Sequence, residues 1–148
     1  MTGAPAAGLA LCLASAIASA VPAAPVPITP ATLQWRTPPD NPSLRAAWVV
    51  GAPSAHGAYV LRVMLAAGGR IPPHTHPDER CVTVLAGTVY VGFGTTVREA
   101  DLVAMPAGTV YVVPAGMPHY LVARDIGATY QESGVGPTAT TPTQEVVH

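Results

Sequence analysis

Proline and glycine interrupt this chain so often that no long helix fits between them. With 17 Pro and 14 Gly in 148 residues, the breaks leave short β-branched runs at 58–65, 81–85, 88–93, 102–105, 109–113 and 120–123. Outer strands are expected at 48–50 and 128–131. Beyond the first 20 residues no window sustains an apolar period near 3.6. The pentapeptide Gly-Thr-Val-Tyr-Val occurs at 87–91 and again at 108–112. That predicts one turn-then-strand device used twice within a single sheet. Many short strands at turn spacing imply an all-β sandwich or a closed barrel, which also hides the sheet edges.

Charge narrows the class of partner. The seven basic residues are all arginines, scattered singly, and the formal net charge is −1. A nucleic-acid binder needs a clustered basic face, so nucleic acid is not an expected partner. The apolar fraction of 49% excludes a disordered chain. Residues 6–20 (AAGLALCLASAIASA) carry no charge and end in Ala18-Ser19-Ala20 before Val21-Pro22. A spanning helix needs about 20 apolar residues, so this stretch is short for one. It predicts a signal peptide at 1–20, hence a periplasmic or secreted protein without stable membrane insertion after cleavage. No Lys or Arg precedes the apolar run, which leaves open a start further upstream. A Pro-rich leader at 21–32, a single β domain at 33–137 and a flexible Thr-rich tail at 138–148 follow. Cleavage would remove Cys12 and leave Cys81 alone, so no internal disulfide forms.

Three of the five histidines carry the chemistry. His74 and His76 flank Thr75, and residues two apart in an extended segment point to the same face. Pro72, Pro73 and Pro77 stiffen that stretch. Downstream, a strand ends in Pro114-Ala115-Gly116 and delivers a third imidazole, His119. Neutral imidazole suits Zn, Cu, Fe, Mn or Ni, whereas Mg and Ca prefer carboxylates. His74, His76 and His119 are therefore the candidate ligands of one divalent transition metal ion. His56 lies in a turn and His148 ends the tail; both are expected in solvent.

These residues resemble the cupin superfamily. Its first motif is G-x5-H-x-H-x3,4-E-x6-G, matched here by Gly68-x5-His74-x-His76-x3-Arg80-x6-Gly87. Its second, G-x5-P-x-G-x2-H-x3-N, is matched by Gly108-x5-Pro114-x-Gly116-x2-His119-x3-Ala123. The resemblance, closest to small single-domain cupins, implies a jelly-roll β-barrel with a metal held inside by the motif histidines. It also implies pairing through outer strands as a homodimer.

The informative departure is Arg80, which stands where the resemblance expects a metal-binding Glu. Alternation with Val82 and Val84 places Arg80 on the interior face. A guanidinium stays protonated and cannot ligate a metal. Glu79 is one residue out of register and should face outward unless a bulge intervenes. Three neutral ligands leave the ion its full charge, favouring a small anionic or chelating substrate, and Arg80 is the candidate catalytic residue, gripping a substrate carboxylate. Three-histidine members of the superfamily act as dioxygenases, so O2-dependent oxidation is the reaction the resemblance implies. A non-enzymatic module that binds or senses a metal or small ligand is the alternative. A cupin that lost its metal along with the Glu, with Arg80 in an internal ion pair, is the competing account. No interior Glu or Lys is evident for acid–base work such as isomerisation.

Overall fold

The computed structural model describes residues 24–143. The expected signal peptide, Cys12 and His148 lie outside the described residues. Eight strands form one antiparallel sheet. They are β1 (Leu44–Val50), β2 (Gly57–Leu65), β3 (Arg70–Thr75), β4 (Arg80–Phe93), β5 (Val103–Pro106), β6 (Val110–Val113), β7 (His119–Gly136) and β8 (Thr141–Pro142). The only helical pieces among the described residues are 3-10 turns at Pro30–Thr32 and Glu99–Asp101. None is long and apolar enough to cross a membrane.

Two strands are longer than their sequence suggests. Runs expected on either side of Gly87 are one strand, β4, and those at 120–123 and 128–131 belong to β7. β4 and β7 pair from Cys81 opposite Ser133 to Phe93 opposite His119, with register shifts around Gly87. There both backbones turn left-handed, at φ 70° for Gly87 and 71° for Gly127. A Cβ on Gly87 would stand 2.2 Å from the Gly127 carbonyl oxygen. Glycine is therefore required by conformation and by contact at once. The repeated pentapeptide thus serves two purposes. Gly108 makes the expected turn between β5 and β6, whereas Gly87 bends a strand that continues.

The shared bend divides the sheet into two facing layers. In one, β1, β2, residues 128–136 of β7, residues 80–84 of β4 and β6 lie side by side. In the other, β8, β3, residues 119–123 of β7, residues 88–93 of β4 and β5 do so. Inward alternation changes parity across the bend. Val82 and Val84 face the core before it and Val89 and Val91 after it, all at most 2% exposed. Val63, Leu65, Leu121 and Tyr130 meet them from the other strands.

The all-β expectation holds, but closure of the barrel by hydrogen bonds does not. Among the described residues no ladder joins β1 to β5 or β6. The layers are held across the core by side-chain packing, and the bend already brings them face to face. The β1 edge is covered in part by Arg36, which exchanges backbone bonds with Ala46 at 2.8 and 2.9 Å. Pro72 and Pro73 sit in β3 where its ladder with β7 is interrupted, between Ile71 and His74, so their missing donors cost no sheet bond.

Residues 138–143 of the expected tail carry backbone pairing with the domain. β8 pairs with His74 and Thr75 of β3, Thr138 N–H donates to the Pro53 carbonyl at 2.8 Å, and Thr143 N–H to that of Pro73 at 3.0 Å. A polar, Thr-rich composition does not reveal backbone partners that far away in sequence.

Gly87→Ala should destabilise the fold by more than about 3 kcal/mol, because both strain and a backbone clash arise. Gly108→Ala, which meets nothing within 4 Å, should cost about 1–2 kcal/mol from its left-handed backbone alone. Urea midpoints of the two variants check the order; equal losses would show that the shared bend is not a contact constraint.

Candidate metal centre

His74 and His119 are cross-strand neighbours in β3 and β7, with ring centroids 4.2 Å apart. His76 follows just beyond β3, its ring 4.8 Å from His74 and 5.2 Å from His119. Its carbonyl accepts from Gly116 N–H at 2.8 Å, which ties the two histidine-bearing loops together. The ligand atoms of the three lie within 4.8 Å of one another, and all three residues are buried. The structure thus brings together the three candidate ligands. His56 is exposed, as expected.

Each ring is oriented through Nδ1. His74 Nδ1 is 2.8 Å from the Pro72 carbonyl, His76 Nδ1 2.8 Å from that of Ala139, and His119 Nδ1 3.0 Å from that of Met117. A carbonyl can only accept, so Nδ1 carries the proton and donates in all three. The lone pair then resides on Nε2, the arrangement that metal-ligating histidines use. His76 Nε2 is buried without a hydrogen-bond partner. A buried acceptor left unpaired is costly, and a cation is what such an atom accommodates. The residues present therefore fit a divalent transition ion.

Burial sets the protonation state. It lowers His74 to about 4, helped by His119 and Arg80 and opposed by the Pro72 bond. It lowers His76 to about 3, with the Ala139 bond opposing and Arg80 reinforcing. His119 is lowered for the same leading reason. All three are neutral at pH 7, as ligands must be.

Arg80 faces the interior, 3% exposed. Its Nη1 donates to Glu132 Oε2. Nη2 donates to Thr138 Oγ1 at 2.7 Å, and Nε lies 3.7 Å from Asp78 Oδ2. The candidate carboxylate clamp thus meets protein partners at Nη1 and Nη2, while its Nε is buried without a hydrogen-bond partner. Glu79 is exposed and Cys81 is a free, exposed thiol.

The sequence reading missed Glu132, an interior carboxylate only 6% exposed. It continues the inward alternation of Ala128 and Tyr130 by one step, a signal that was present but not extended. Burial pushes its carboxyl upward while Arg80 pulls it back. Asp78 accepts from Tyr59 Oη at 2.5 Å and from Thr138 Oγ1. Beside the histidines lies a cavity of about 260 Å³ walled by Trp48, Leu61, Val63, Ile71 and Tyr130, with Arg80, Glu132, His74 and His76 also lining it.

Comparison with known proteins agrees with this architecture. The family model described as "Cupin domain" matches residues 61–127, a stretch containing all three histidines and Arg80. This stretch belongs to the cupin superfamily. This cupin is 39% identical over 84 residues to germin-like protein 3-1 of Oryza sativa subsp. japonica, covering 56% of this chain and 37% of that one. It spans well under half the length of the first curated relatives it matches, 30–44%. Among solved structures, the polyketide cyclase RemF from Streptomyces resistomycificus superposes with a TM-score of 0.68 at 15% identity, over 82% of this chain and 87% of that one. Bacillus subtilis oxalate decarboxylase, a protein with Mn(II) centres, superposes at 0.57 and 18% identity, over 72% of this chain and 28% of that one. At these identities the structural likeness shows the fold alone.

For the metal-free protein, the histidines' contribution to stability should be level above about pH 6.5 and fall below it, with the raised Glu132 carboxyl working in the opposite sense. There the unfolded histidines take up protons that the folded ones refuse until about pH 4 for His74 and about pH 3 for His76. His74 alone contributes about 3 kcal/mol to this loss. Denaturant midpoints from pH 7 to 4 should therefore decline, less steeply in His74→Asn. Equal slopes for the two proteins would contradict burial of a neutral His74.

Proposed function

We propose that this cupin holds one divalent transition metal ion through His74, His76 and His119 and carries out O2-dependent oxidation of a small chelating substrate. The observation that carries the reading is the set of three backbone-locked imidazoles converging on one point, with the buried Nε2 of His76 lacking any protein partner. When bound, such an ion supplies a Lewis-acid centre with open positions and, for Fe or Mn, the redox capacity that oxygen chemistry requires.

The chain's own residues define what the substrate can be. Since Glu132, Thr138 and Asp78 engage the Arg80 guanidinium, we do not assign it a substrate carboxylate. The walls around it are largely apolar. This favours a chelating group that meets the centre with an apolar body behind it, over a fully anionic small acid. A location in the periplasm or outside the cell remains our proposal, on the uncharged stretch at 6–20.

The pairing of both interior charges favours one further reading, a metal- or ligand-binding module without turnover. Metal analysis and oxygen uptake separate the two. The purified chain should bind close to one equivalent of Fe(II) or Mn(II), and His74→Ala or His119→Ala should weaken binding by more than about 100-fold. Substrate-dependent oxygen uptake with diketone, dithiol or keto-acid panels supports the oxidation; metal binding without uptake favours the module. A folded protein that takes up no Fe, Mn, Ni, Cu or Zn defeats both.

A further inference from the structure

Arg80 occupies the place of a ligand carboxylate, yet its contacts lead to the metal centre by another route. Its guanidinium is anchored on Glu132 and donates through Nη2 to the Thr138 hydroxyl at 2.7 Å. That hydroxyl, 8% exposed with its residue, donates in turn to Asp78 Oδ1. A hydroxyl has one proton to give and lone pairs to receive, so Thr138 bridges the cation and the carboxylate in one fixed orientation. The next carbonyl along the chain, that of Ala139, accepts from His76 Nδ1 at 2.8 Å. Arg80 Nη2 approaches the same oxygen at 3.5 Å. Beyond it, β8 and the Thr143 N–H bind the segment along β3. His74 and His119 take their orienting carbonyls from residues two positions before them. His76 takes its carbonyl from 63 residues away.

We propose that Thr138 is a positioning residue for the metal centre: held by Arg80 and Asp78, it fixes the Ala139 carbonyl that keeps His76 in its Nδ1–H form, with Nε2 turned towards His74 and His119. Arg80 then acts on the metal through a strap of chain and not as ligand or substrate clamp. The inference rests on the proposed metal site for its purpose but not for its geometry. Ordering of residues 138–143 and occupancy of the centre become reciprocally linked, each favouring the other.

The test compares Thr138→Val, which keeps the shape and removes the hydroxyl, with Thr138→Ser, which restores it. Long-range 15N–1H spectra of the metal-free proteins at pH 7 report the His76 tautomer directly. Wild type and Thr138→Ser should show Nδ1–H, and Thr138→Val a mixture with Nε2–H. Titration with Co(II) should show affinity lowered by about 10–100-fold in Thr138→Val and near the wild-type value in Thr138→Ser. A folded Thr138→Val with unchanged tautomer and unchanged Co(II) affinity overturns the proposal. Wild type that shows the Nδ1–H form but binds no Co(II) removes the metal reading while leaving the tautomer comparison to decide the positioning role. If Thr138→Val does not fold, hydrogen exchange of the wild type decides instead. Co(II) should slow exchange of the Thr138 and Thr143 amides at least tenfold, and unchanged rates overturn the linkage.

Discussion

Everything at the site depends on two long strands bending at the same place. His119 and Glu132 lie 13 residues apart on β7, as do Arg80 and Phe93 on β4. A straight strand of that length spans about 43 Å at the usual rise. Yet His119 touches His74, and His74 shares a cavity with Glu132 and Arg80. The fold over Gly87 and Gly127 is what turns opposite ends of the same strands into two walls of one chamber. Side chains at those two positions would force the layers apart, and with them the residues at the strand ends. The bend is therefore a condition of the chemistry as well as of the core.

Relative to the cupin pattern, Arg80 in place of a carboxylate changes the local charge by two units beside a centre suited to a dication. Left bare, that charge would oppose metal binding. Two carboxylates, Glu132 and Asp78, stand against it, and Thr138 joins the guanidinium to one of them. Buried ion pairs rarely add net stability, because desolvation offsets attraction. Their usefulness here lies in geometry: a guanidinium fork with fixed partners can hold a distant segment of backbone. The competing idea of an internally bridged Arg80 thus describes the contacts correctly, but the conclusion of a lost centre does not follow, since the three histidines remain together and neutral.

The histidine trio, the inward Arg80 and outward Glu79 were legible because each follows from period-two alternation or from motif spacing. The strand ends were less so. Gly87 looks like a turn because a single left-handed glycine signals a turn and a shared bend alike; only the opposing Gly127 distinguishes them. β3 hides behind Pro72-Pro73, whose tolerance depends on a ladder interruption not visible in sequence. Glu132 was within reach of the alternation through Ala128 and Tyr130. Thr138 was not. Its partners, Asp78 and Arg80, are 60 and 58 residues away, and no local pattern encodes a contact of that range.

The donor geometry also constrains what can stand at the centre. Three imidazoles meet in one region, and the Nε2 of His76, buried there without a partner, needs a hydrogen-bond donor or a cation. Protonating one ring would supply a donor, but burial has moved that option to about pH 4 and below for His74 and His76. A divalent ion would meet all three lone pairs at once, and it would bind the folded chain far better than the unfolded one. Its binding free energy is then added to the stability of the fold. The same desolvation that makes the metal-free site costly is thus what keeps its ligands ready, so that the cost of assembling the trio and its affinity for a cation have one physical origin.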